Sequence, residues 1–345
     1  VVGAFLAATT ADRCGRKITF SLLLAFKFAS ITLELVATSN NVYFGGIFLS
    51  GFCAGGFGTL SMTYIGEIAP QKLRGVLTAA APISMTLGSL IASLIINFTA
   101  DQESRWAYRT AFASEYSFSG FVTLFLPFIP ESPWWLADKG KGDEALRSLG
   151  QLGFSSIQAE QQIRIIKRTL SKTREETKGV SYLECFRRSN LRRTVVSCMP
   201  LAIHALCGVS FVASYSTYYQ QLAGYTTQAS FHLSIVQGIL SLLGNVCSWF
   251  LIDKVGRRSL SFMGLVLLTT LLLLTGGLAV AATTGAVKGT VALLLVYCFV
   301  FNVTIGATAY TILAEISTPR LRAKTASLAF AFENVLFVSF LIKQI

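Results

Sequence analysis

Long apolar runs alternate with short polar blocks along the whole chain. About twenty apolar residues cross a bilayer as a helix, because a helix satisfies its own backbone hydrogen bonds where no water is available. On that basis the pattern predicts spans at roughly 1–11, 18–38, 43–65, 76–98, 108–130, 195–219, 231–252, 259–282, 291–314 and 326–345. Five spans precede a long polar insert, 131–194, and five follow it. Residues 1–130 are thus expected to form an N-terminal helical bundle and residues 195–345 a C-terminal one. The chain opens on Val1 and closes on Ile345, both inside apolar runs. A further helix is therefore expected beyond each end, leaving an all-α membrane fold incomplete at both ends.

The polar blocks occur in pairs. Asp12-Arg-Cys-Gly-Arg-Lys17 is echoed by Asp253-Lys-Val-Gly-Arg-Arg258, 241 positions later, and Glu67-Ile-Ala-Pro-Gln-Lys-Leu-Arg74 by Glu315-Ile-Ser-Thr-Pro-Arg-Leu-Arg322, 248 positions later. A chain that repeats both its charged hinges and its spans is built from two similar halves, the architecture of an alternating-access carrier. In each Asp-x-x-Gly-Arg block the carboxylate can cap a helix or bind a guanidinium, and the glycine permits a tight turn. Asp12, Arg16, Glu67 and Arg74, with Asp253, Arg257, Glu315 and Arg322, are therefore expected to form ion pairs latching the halves at an inner gate. Such pairs, partly hydrated, contribute about 0–1 kcal/mol each.

Composition agrees with the spans. Of 345 residues, 53% are hydrophobic and 13% charged, too apolar for a soluble protein. The net charge is +12, and 24 of the 29 Lys and Arg fall in the blocks 12–17, 67–75, 131–194, 253–258 and 315–324. That asymmetry places these loops in the cytosol beside anionic lipid, and no nucleic-acid partner is implied. The insert contains an amphipathic stretch, Ile157–Leu170, with Ile163, Ile166 and Leu170 on one face. It predicts a cytosolic linker of short helices lying on the inner membrane surface. Seven cysteines at irregular spacing read as small buried hydrophobes, with no disulfide or metal framework. Asn97-Phe98-Thr99 is a sequon at the outer end of a span.

Ionisable residues inside spans are costly and usually face a partner or a cavity. Glu34 and Lys27 lie seven apart on one helix face and can pair along it; Glu115 can pair with Arg109 or carry a proton; Glu333 is mid-span. Glu34, Glu115 and Glu333 are the proton-coupling candidates. His204 stands alone in an apolar run. Tyr215, Tyr218, Gln237, Ser241, Asn245, Asn302 and Tyr310 supply neutral hydroxyls and amides of the kind that bind sugars, or that hold helices together. There is no P-loop, no Cys-x-x-Cys and no nucleophile elbow, so neither an enzyme nor a cofactor is implied.

With Pro130-Glu-Ser-Pro-Trp-Trp-Leu136 and Tyr64-Ile-Gly-Glu-Ile-Ala-Pro70 added, these blocks resemble the sugar-porter branch of the major facilitator superfamily. Tyr108-Arg-Thr-Ala-Phe112, Tyr215-Ser-Thr-Tyr218 and Cys247-Ser-Trp249 are most similar to the fungal α-glucoside (maltose-type) carriers. The resemblance implies two pseudo-symmetric six-helix bundles, with this chain running from the second helix to the eleventh. It implies alternating-access transport of a sugar, proton-coupled in most members, in the plasma membrane. Positions matching the family's sugar-binding residues are Pro82, His204, Ala205, Ser210, Tyr215, Ser241 and Tyr310, several differing in type from the family. The substrate-binding candidates are therefore His204, Ser210, Tyr215, Gln237, Ser241, Asn302 and Tyr310. The departures keep two alternatives open: the same carrier for a polyol or cyclic acid, and a transport-inactive sensor or truncated remnant.

Overall fold

The computed structural model describes residues 2–69, 74–99, 106–177, 182–281, 283–316 and 322–344, and among these there is no strand. The helices are α1 (Val2–Cys14), α2 (Arg16–Val36), α3 (Asn40–Ile68), α4 (Arg74–Thr99), α5 (Trp106–Phe125), α6 (Pro133–Asp138), α7 (Gly142–Gln151) and α8 (Ser156–Thr177). They continue as α9 (Arg188–Leu206), α10 (Val209–Leu222), α11 (Thr227–Val255), α12 (Arg257–Ala281), α13 (Thr284–Val303), α14 (Ile305–Ile316) and α15 (Arg322–Gln344).

Single glycines join the helices at the duplicated Asp-x-x-Gly-Arg blocks. Gly15 (φ 101°, ψ 164°) lies between α1 and α2, and Gly256 (φ 85°, ψ 147°) between α11 and α12. This backbone region is accessible essentially to glycine alone, so the repeated glycine is a repeated sharp helix junction.

The chain divides into two compact units, Val1–Ala81 with Glu103–Lys178, and Pro82–Gln102 with Gly179–Ile345. In the first, α1, α2 and α3 pack around Ala7, Ala11, Leu23 and Leu60. The contact is close because the residues are small: a Cβ at Gly3 would stand 2.0 Å from the carbonyl oxygen of Phe52. In the second, Val212, Leu268, Leu294, Tyr297, Cys298, Phe301 and Ile305 form one core cluster, and Leu201, Ala309, Leu313 and Ala329 another.

Six helical segments among the described residues are long and apolar enough to cross a bilayer: Arg16–Val36, Asn40–Ile68, Pro82–Thr99, Thr227–Ile252, Arg257–Val280 and Gly285–Leu313. The other expected spans are interrupted, short or charged. The expected span 195–219 is broken at Cys207–Gly208, where Gly208 takes φ 89°, and the Tyr297 hydroxyl donates to the carbonyl of Cys207 at the break. Gly285–Leu313, one of the six, is itself interrupted at Thr304, between α13 and α14. Hydropathy is blind to such breaks because the flanking residues remain apolar.

The linker residues 131–194 include the short helices α6, α7 and α8. Ile163 and Ile166 are 7% and 3% exposed. Ile163 packs with Leu136, Ala145, Leu149 and Ala159, so α6, α7 and α8 form a small helical cluster of their own. Ile163 and Ile166 of α8 thus face neighbouring helices, while Ile157 and Ile165 are exposed.

Candidate functional site

The Pro-Glu-Ser-Pro motif starts a helix and caps a second one. Ser132 is the N-cap of α6, its Oγ accepting the Trp135 amide at 3.3 Å, and Pro133 occupies the first turn, where a missing N–H costs nothing. The Glu131 carboxylate accepts the backbone amides of Arg16 (2.9 Å), Lys17 (3.1 Å) and Ser132 (2.9 Å). It thereby supplies the start of α2 with the acceptor that its glycine N-cap lacks. Tyr64 donates to the Pro130 carbonyl at 2.6 Å, and Trp135 Nε1 to the Asp12 carbonyl at 3.1 Å.

Arg16 sits inside this node. Its Nε and Nη2 meet Glu67 Oε2 and Oε1 at 3.0 and 2.6 Å, and its Nη1 donates to the Ala11 carbonyl at 3.1 Å. Asp12, 76% exposed, lies 3.5 Å away. The Arg16 and Glu67 side chains are 8% and 16% exposed. This is a bidentate, largely desolvated pair tying α2 to α3 within the first unit, in contrast to the hydrated contact expected. Removing one partner from such a pair costs about 3–5 kcal/mol. The side chains of Arg74, Asp253, Glu315 and Arg322 lie outside the described residues; Arg257, at the position matching Arg16, is half-buried.

Farther along α2, Lys27 pairs with Glu115 of α5 at 2.5 Å and donates to Ser50 Oγ at 2.8 Å. This corrects both expected pairings, Lys27 with Glu34 and Glu115 with Arg109. Glu34 is 2% exposed, and Ser30 Oγ lies 3.2 Å from its Oε1.

In the second unit His204 of α9 has a partner after all: its Nδ1 is 2.9 Å from Glu333 Oε1 of α15, with side chains 13% and 5% exposed. The rings of Phe301, Tyr310 and Phe337 surround the imidazole at 5.2, 5.6 and 6.0 Å. Gln237 accepts from Ser216 at 2.9 Å and donates to the Val212 carbonyl at 3.3 Å, joining α11 to α10. Asn302 donates to its own helix, at Cys298 O (2.8 Å). Tyr215 stacks on Phe211, and Ser241 is half-buried on α11. The Ser210 side chain lies outside the described residues.

The profile of the sugar (and other) transporter family matches residues 1–345. The chain belongs to that family. The alpha-glucosides permease MPH3 of Saccharomyces cerevisiae is 33% identical over 347 residues, covering 98% of this chain and 58% of that protein. Maltose permease MAL31 of the same yeast is 31% identical over 346 residues, 98% of this chain and 56% of that one. The chain thus spans little more than half the length of these relatives. The partially occluded, inward-open xylose transporter XylE from E. coli superposes with a TM-score of 0.77 at 21% identity, over 98% of this chain and 77% of that one. The proton:xylose symporter XylE bound to 6-bromo-6-deoxy-D-glucose gives 0.75 at 24% identity, over 97% and 74%. At these identities the likeness establishes the fold, which is that of the major facilitator superfamily. This member of the sugar transporter family is an integral, multi-pass membrane protein, and its relatives are permeases and transporters, not enzymes.

Within this family member the structure gathers His204, Tyr310 and Glu333 into one cluster, and Arg16 with Glu67 and Asp12 into another. Glu131, Tyr64 and Trp135 join the Arg16 node although their motif blocks alone give none of them a partner. The signal lay in the Pro-Glu-Ser-Pro-Trp-Trp block, whose glutamate had no visible partner in its own segment.

Proposed function

We propose that this family member moves a sugar, an α-glucoside or a hexose, across the plasma membrane by alternating access, with protons as the driving ion. The observation that carries this reading is its likeness, along nearly the whole chain, to alpha-glucosides and maltose permeases. The geometry supports it in two ways. The second unit presents the Tyr310 ring beside the His204–Glu333 pair, and Tyr215 and Gln237 on α10 and α11, groups suited to hydroxyls and sugar C–H faces. Ser210, Ser241 and Asn302 complete the substrate set of this reading. The first unit carries ionisable groups, Glu34 and Glu115, inside its helices, and Glu333 adds a third in the second.

In this reading the halves are residues 1–130 and 195–345, joined by a linker at 131–194, with the motif-bearing loops cytosolic. Asp12, Arg16, Glu67 and Arg74 and their counterparts Asp253, Arg257, Glu315 and Arg322 act at the inner gate. The test is uptake of a panel of labelled sugars by the full-length protein in transporter-null cells, with and without a protonophore. Saturable uptake of a glucoside or hexose, reduced by the protonophore, supports the reading. Uptake restricted to a polyol or cyclic acid overturns the substrate class.

A further inference from the structure

Beyond the Arg16–Glu67 node, α2 carries Lys27 and Glu34 and α5 carries Arg109 and Glu115. Lys27 and Glu115 balance one another at 2.5 Å. Arg109 lies over the Tyr108 ring, and among the described residues Glu34 makes no ion pair of its own. It is buried on α2 between Ser30 and α3, and α3 approaches closely because position 46 is glycine: a Cβ there would lie 2.7 Å from Glu34 Cγ. Ser30 Oγ also donates to the Gly46 carbonyl at 2.9 Å, closing that side.

Two clefts meet at Glu34. One, of about 400 Å³, is rimmed by the exposed turn Thr38, Ser39 and Asn40 and lined by Tyr43, Tyr108 and Phe112. The other, of about 270 Å³, passes Tyr43 and Phe112 to reach Ser50 and Glu115. The groups facing Glu34 are Lys27 and Ser30 from α2, Tyr43 from α3, and Tyr108 and Glu115 from α5. Around them, the Arg109 guanidinium lies 6.0 Å over the Tyr108 ring, Tyr116 bonds Thr32 at 2.7 Å, and the Cys53 thiol donates to the Leu23 carbonyl at 3.7 Å. The charged residues of α1, Asp12 and Arg13, lie at the Arg16 end. Among the described residues, Lys27 is the cation whose charge reaches Glu34, and Glu115 already engages it. A carboxylate without its own counter-ion among apolar helices is costly, and binding a proton removes that cost.

We infer that Glu34 is an exchangeable proton-binding site, filled from the α2–α3 turn through the Tyr43–Phe112 cleft and coupled to the Lys27–Glu115 pair. The balance is simple: a proton from water converts the Glu34 carboxylate to a carboxylic acid, and the reverse step returns it to water. With the proton bound, the cluster is neutral and Lys27 holds α5 to α2. With the proton gone, Lys27 is drawn by two carboxylates, and the α2–α5 contact weakens. The proton site stands on this geometry alone. Its use in transport rests on the sugar-carrier reading, and there it assigns the coupled proton to Glu34 instead of the His204–Glu333 pair.

Infrared difference spectra of the whole protein in lipid vesicles, taken between acidic and alkaline buffer, test the site without any sugar. The expected result is a protonated-carboxyl stretch that is lost at alkaline pH and shifts in heavy water. It should be absent in Glu34→Gln, present in Glu333→Gln and moved in frequency in Glu34→Asp. Absence of the stretch in the wild type, its persistence in Glu34→Gln, or an unmoved band in Glu34→Asp overturns the site. In the same vesicles Glu34→Gln should lose proton-driven accumulation of labelled maltose far more than maltose exchange. Equal accumulation by Glu34→Gln and wild type overturns the coupling role. A wild type that shows the band yet neither accumulates nor exchanges any sugar contradicts the carrier reading and leaves the proton site standing.

Discussion

The Glu131 carboxylate holds the start of α2 from 115 residues away, its Oε1 accepting the Arg16 amide at 2.9 Å. The preceding glycine has no side chain with which to cap that helix, so a distant residue does so. Glu131→Ala is expected to destabilise the first unit by about 1–2 kcal/mol, the range for a lost cap. Glu131→Gln, which keeps an acceptor but loses the charge, should cost less. Thermal unfolding midpoints of the two variants in detergent check the order.

Arg16 and Glu67 are bidentate and largely buried. Glu67→Gln or Arg16→Met is expected to lose about 3–5 kcal/mol, because each leaves a desolvated charge without its partner. The double variant Arg16→Met/Glu67→Met should be less damaged than the sum of the singles, and a double-mutant cycle on unfolding midpoints measures that coupling. In transport assays Glu67→Gln should slow cycling more than it changes substrate affinity.

The two junction glycines are expected to differ. At Gly15 an added Cβ would meet Glu131 Oε2 at 2.7 Å, whereas at Gly256 it would meet no atom of the described residues within 4 Å. Both substitutions to alanine incur backbone strain of about 1–3 kcal/mol. Gly15→Ala should in addition disturb the Glu131 cap. Expression level and unfolding midpoint should therefore fall further for Gly15→Ala than for Gly256→Ala.

The duplicated blocks were legible because they are local: Asp-x-x-Gly-Arg states a helix end, a glycine-only turn and a helix start within six residues. Partners across helices were not legible. The spans are apolar on most faces, so no stripe shows which side of α2 meets α5, and the seven-residue spacing suggests Glu34 for Lys27, which pairs with Glu115. The same blindness left His204 apparently alone, although Glu333 lies 2.9 Å away. The breaks at Gly208 and Thr304 escaped because turn chemistry inside an apolar run leaves hydropathy almost unchanged.

Glu333 is buried and His204 half-buried, and the two are in contact. His204→Ala leaves a carboxylate without its neighbour and is expected to destabilise the second unit by about 1–3 kcal/mol. The double variant His204→Gln/Glu333→Gln, which replaces the pair by two amides, should restore much of that loss. Unfolding midpoints report the stability, and maltose affinity measured on the same samples reports whether the pair also touches substrate.

On the function proposed above, the protein carries sugar across the membrane instead of merely binding it. The most direct measurement is counterflow: purified full-length protein in vesicles preloaded with unlabelled maltose, with labelled maltose outside and no ion gradient. Transient accumulation of label, saturable and absent from empty vesicles, is the expected result. Sugar binding without any counterflow, for maltose and for every hexose tried, would contradict it.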